Sequence, residues 1–248
     1  MASFHSRSNS FPSQSHPLTQ SVEDHLRRLR ASQATSTSTS SLCENLSSLS
    51  DLHECINNMI QMPSVQQAFS HEQGRNWINE LLEGSLRLVE LCGFSREVVS
   101  LTNESIQDLE SSMRRNRGET ATSDDIKAYV ASRKNINKMV KKCIKNFNKN
   151  STAIPDNEFG ETLKETEALD ISVLNSVLTL ISGEKESSKQ RSWSFLSKFT
   201  RAHFEVENNT VKQLKATEMS IEQLEEGLES SFRSLIKTRV SLLNVLSH

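Results

Sequence analysis

Arg7, Ser8, Ser10 and Pro12 follow one another in the stretch RSNSFP, close to the start of a chain of 248 residues. These types at this spacing suit phosphate chemistry. An arginine three residues before a serine is what basophilic kinases read with acidic side chains. A phosphate on Ser10 would bring nearly two negative charges and three strong acceptors. Pro12 holds the residue before it in an extended form. A partner carrying an arginine cluster would grip such a peptide. The pattern R-S-x-S-x-P resembles a 14-3-3 docking motif, so Ser10 is a phosphorylation candidate and 14-3-3 proteins are candidate partners. A second RSxS, at Arg191–Ser194, lacks the proline and sits beside Trp193 and Leu196, which read as buried.

A second group carries charge rather than a modifiable hydroxyl. Arg133, Lys134, Lys138, Lys141, Lys142, Lys145 and Lys149 fall within RKNINKMVKKCIKNFNK, which contains no acid. Ile136, Val140, Cys143 and Phe147 recur at a spacing of three to four and form a separate apolar stripe. Three readings follow. The helix packs on the acidic stretch from Asp156 to Glu186, which has eight acids against two lysines, a net charge of −6. It lies on anionic lipid as a peripheral contact. Or it is held by calmodulin or another partner.

Catalytic patterns are missing. The chain has no GxGxxG, GxxxxGK[ST] or GxSxG. His53 and Cys55, with Cys43, make a poor metal set, because residues two apart point to different sides of a helix and no fourth ligand follows. We therefore expect no enzyme, no cofactor, no metal site and no small-molecule substrate.

The elements that hold these residues are helical. Seven Gly and four Pro are too few for the turns of a β-sandwich. The formal net charge of −2 gives no general footprint for nucleic acid. Four scattered cysteines without a CxxC imply reduced thiols. With no apolar leader segment, the expected location is cytoplasmic, peripheral to membranes at most, and not secreted. Residues 1–17 read as a disordered Ser-rich tail. Residues 18–41 read as a detached first helix with a Ser/Thr linker, and 42–248 as an elongated bundle of long helices. Pro63 and Gly183 mark stops, and so does Gly93, which divides one helix ending at Cys92 from another beginning at Val98. Ile171 to Ile181, ISVLNSVLTLI, is too short to span a bilayer and reads as a core helix. Leu214, Ile221, Leu228, Leu235 and Leu242 lie seven apart on a last, very long helix. A mixed second row, Thr217, Leu224, Ser231, Thr238 and Val245, favours packing inside a bundle over a free coiled coil. Its apolar end must dock on the core.

Several longer stretches have a family look when taken together. FHSRSNSFPSQSHP, VEDHLRRLR, WINELLEGSLRLVELCG, SMRRNRG, YVASRKNINKMVKKCIK and FRSLIKTRVSLLNVLSH resemble the plant BYPASS-like family, across nearly the whole chain and in the family's order. The resemblance implies an all-helical plant protein connected with root and shoot development, and no catalytic residues to carry over. The expected function is a non-enzymatic adaptor or scaffold. The other reading is a peripheral membrane protein acting in signalling or trafficking through the helix at 133–149.

Overall fold

A computed structural model describes residues 17–33, 38–70, 72–115, 123–147, 158–183 and 209–247. They form seven helices and, among the described residues, no strand: α1 (Pro17–Gln33), α2 (Thr39–Ile60), α3 (Pro63–Ser70), α4 (Glu72–Arg115), α5 (Ser123–Phe147), α6 (Glu158–Ser182) and α7 (Asn209–Leu246). The all-α bundle expected from the sequence is the observed fold. Arg7, Ser8, Ser10, Pro12, Lys149 and the stretch around Trp193 lie outside the described residues.

Local chemistry explains most helix ends. Ser38 is extended and its side chain accepts the Ser41 N–H at 3.2 Å, filling an orphan donor at the start of α2. Pro63 opens α3, where its missing N–H costs nothing. Asp124 and Asp125 sit in the first turn of α5, against the positive end of its dipole. Gly183 closes α6 with φ +69 and donates its N–H to Leu180 O at 3.1 Å.

α7 organises the core. The row from Leu214 to Leu242 is buried throughout. The second row turns small where α2 crosses, at Ser231, for a reason. Ser231 Oγ donates to the backbone oxygen of Leu46 at 3.2 Å, and a Cβ on Gly227 would stand 3.0 Å from Leu46 Cδ1. Only small side chains let α2 come this close. α2 runs parallel to α7, matching Ser50 to Ser230 and Glu54 to Lys237. α4 runs antiparallel to α7, matching Asn103 to Glu225 at one end and Ser85 to Arg239 at the other. α6 covers α2 and α4, and α5 covers α4 and α6. The apolar run in α6 is core, with Val173, Leu174, Val177, Leu178 and Ile181 at 1% exposure or less.

Three expectations are corrected. Gly93 ends nothing: α4 continues through it for 44 residues. A Cβ there would sit 3.7 Å from the Phe232 ring, over which Arg96 stacks at 4.5 Å. That is ordinary contact distance, so the position has room for a side chain, and tertiary packing carries the helix through a propensity loss of about 1 kcal/mol. α1 is not detached. Val22, Leu26 and Leu29 are buried, Ser21 meets Cys55 at 3.5 Å, and Arg30 pairs with Glu165. The end of α7 docks along one face, with Thr238 buried and Val245 packed on the core beside the first row. Leu235 and Leu242 are buried, while Ile236, Val240, Leu243 and Leu246 are 39–47% exposed.

Candidate functional site

The α5 sequence sorts itself into two opposite faces. At 100° per residue, Tyr129, Arg133, Ile136 and Val140 share one side of the helix. All four are buried. Ile126, Cys143, Ile144 and Phe147 are partly buried and pack against the same core. Lys127, Lys134, Lys138, Lys141, Lys142 and Lys145 share the other side and are all exposed. They fall within an arc of about 100°, and the row from Lys127 to Lys145 is about 27 Å long.

Arg133 is the exception in the basic set. It belongs to the buried face, at 8% exposure. Its guanidinium donates to the Ile181 backbone oxygen, in the last turn of α6, and to Thr102 Oγ1 at 3.3 Å. Burial pulls its pKa down, while Tyr129 beside it acts in the opposite direction. Burial pushes the Tyr129 hydroxyl up to about 12. Arg133 thus fixes α5 to α4 and to the negative end of α6.

Three acids of α6 are engaged elsewhere. Glu165 pairs with Arg30 of α1, Glu167 lies 3.9 Å from Arg87 of α4, and Asp170 faces His53 of α2. Lys127 pairs with Asp124 on its own helix at 2.9 Å. Lys134, Lys138, Lys142 and Lys145 have no ion-pair partner among the described residues. The apolar stripe of α5 is therefore buried against α4 and α6, while its lysines face outward.

A polar trio that sequence reading missed lies in the core. His53 Nε2 faces Asp170 Oδ2 at 3.0 Å and Oδ1 at 3.2 Å, and His53 Nδ1 meets Thr238 Oγ1 at 3.1 Å. Thr238 Oγ1–H donates to Ser234 O at 3.0 Å, so Nδ1–H is the donor toward Thr238. That direction is wrong for activating a nucleophile, which needs the hydroxyl to give its proton to the imidazole. An adjoining cavity of about 50 Å³, walled by Ile56, Leu81, Leu88, Leu163, Leu235 and Leu242, is far below the roughly 300 Å³ at which ligand pockets begin. The trio ties α2, α6 and α7 together. Burial also pushes the Cys92 thiol up to about 12, which keeps it protonated. The imagined set of His53, Cys55 and Cys43 does not assemble: among the described residues no group of three metal-ligating side chains comes together.

With this geometry in view, comparison with known proteins gives a family match. A family model described as Protein BPS1 matches residues 45–245, from the first turns of α2 to the last turn of α7. The chain belongs to the BPS1 family. This is the family the sequence blocks resemble, and it connects the chain with plant development. The BPS1 match takes in all of α5 and both ends of the His53 trio, and leaves out α1. No curated protein matches the chain. No solved structure matches it. Among the described residues, no helix is long and apolar enough to cross a membrane.

Proposed function

We propose that this BPS1-family protein is a non-enzymatic helical adaptor in root and shoot development, and that the outer face of α5 is its contact surface for an anionic partner. The carrying observation is the lysine row, exposed and directly opposite the stripe that fastens α5 to the core. Lys134, Lys138, Lys142 and Lys145, which have no ion pair among the described residues, favour recruitment of an opposite charge. The peripheral-membrane reading gains from the same observation. The calmodulin reading loses, because a calmodulin grip needs the apolar stripe and that stripe is spent on α4 and α6. The Arg7-Ser8-x-Ser10-x-Pro12 stretch is a second, phosphorylation-dependent contact in this proposal, with 14-3-3 proteins as its takers.

Affinity capture from plant tissue with quantitative mass spectrometry separates the two contacts. Ser10→Ala is expected to lose 14-3-3 proteins and keep the other partners. A chain carrying Lys→Gln at 134, 138, 141 and 145 is expected to keep 14-3-3 proteins and lose the partners that need α5. Identical recovery by all three chains contradicts the adaptor reading at both surfaces.

A further inference from the structure

We propose that the lysine row of α5 adsorbs onto a layer of anionic lipid headgroups, with the α5 axis along the membrane plane. This rests on the reading of α5 as the contact surface and names what that surface meets. The geometry argues for a fluid anionic layer over a folded partner. The row follows one convex side of the helix for about 27 Å, and its charges are all lysine ammoniums. Ala131 shares the arc with them, and Asn135 and Asn146 flank it, each exposed. Among the described residues, no arginine fork or aromatic ring stands there to grip a fixed pattern of carboxylates or stack a base. Protein interfaces centre on buried aromatic or arginine anchors, and this face has none. A lipid surface needs no such anchor, because its headgroups move to meet the charges.

The same geometry says how the protein sits. Ile136, Val140 and Tyr129 are held inside, so nothing on this side can insert into the hydrocarbon. Adsorption is by charge alone, is screened by salt, and engages the row evenly along its length. α5 runs antiparallel to α4, with Ser112 bonded to Asp125 and Thr102 to Arg133, so the long axis of α4 also lies close to the surface plane.

The test is co-sedimentation of the purified full chain with phosphatidylcholine vesicles, with and without phosphatidylserine. We expect binding only to the phosphatidylserine vesicles, abolished by high salt. Lys134→Gln and Lys145→Gln should each weaken partition about fivefold, and Lys→Gln at 134, 138, 141 and 145 together by about two orders of magnitude or more. Lys→Arg at the same four positions should keep binding, and far-UV circular dichroism should show each variant folded. Failure of the unmodified chain to bind phosphatidylserine vesicles, or equal binding by the four-fold Gln chain, overturns the proposal. A loss confined to one end of the row overturns the flat arrangement. If vesicles fail while captured partners still depend on the four lysines, lipid is wrong and α5 remains the contact surface for an acidic protein.

Discussion

His53→Ala is expected to cost the fold about 3–5 kcal/mol, measured as the shift in a urea unfolding transition. The side chains of His53 and Asp170 are 4% and 2% exposed. Removing the imidazole leaves a buried carboxylate without its partner and Thr238 Oγ1 without a donor. Asp170→Ala should cost a similar amount. The double variant should cost less than the sum, by about 1–3 kcal/mol, because each single change already strands the other group. His53→Leu with Asp170→Leu is expected to lie near the unmodified chain, since a well-packed apolar pair often matches a buried hydrogen-bonded one. Single losses below about 1 kcal/mol would show that the trio does not tie the three helices.

Deleting the last fifteen residues, 234–248, is expected to lower the thermal midpoint by at least about 10 °C. The cut removes buried Leu235 and Leu242, the Thr238 contact to His53, and Arg239, which donates to Leu82 O and to Ser85 Oγ at 3.1 Å. Truncating one buried leucine to alanine costs about 2–5 kcal/mol. Losing two, with the trio, approaches the whole stability of a domain, about 5–15 kcal/mol. An unchanged midpoint would mean that the end of α7 lies outside the cooperative core. Ile236→Gln and Val240→Gln, on the exposed row, should change stability by no more than about 0.5 kcal/mol.

Much of this fold is legible from spacing. The row from Leu214 to Leu242 is apolar every seventh residue, and each member is buried. The hydroxyls in the second row also have a visible logic, because small residues mark where helices approach closely. The stripe and the lysines of α5 separate by phase alone. Gly93 misleads because a glycine reads locally as a stop, whereas the packing that carries α4 through it is made with residues far along the chain, Phe232 among them. The stripe of α1 is visible, but local period does not say what it docks on.

The His53 trio left a faint signal. His53 and Asp170 both sit among apolar residues at core phase, His53 between Leu49 and Ile56, Asp170 between Leu169 and Val173. A polar residue at such a position needs a buried partner. Which one it finds cannot be read locally, since His53 is 117 residues from Asp170 and 185 from Thr238. The destination of the α6 acids is hidden for the same reason. Net charge suggests that α6 pairs with α5, whereas Glu165, Glu167 and Asp170 point to α1, α4 and α2.

The exposed lysine face of α5 is the claim on which the functional account stands. It is tested most directly by acetylating the folded, full-length chain with a limiting amount of an amine-reactive ester and reading each lysine by peptide mass spectrometry. Lys134, Lys138, Lys142 and Lys145 are expected to react as fast in the native chain as in urea. Protection of these four until the chain unfolds would contradict the claim, and would return α5 to a charge-paired place inside the bundle.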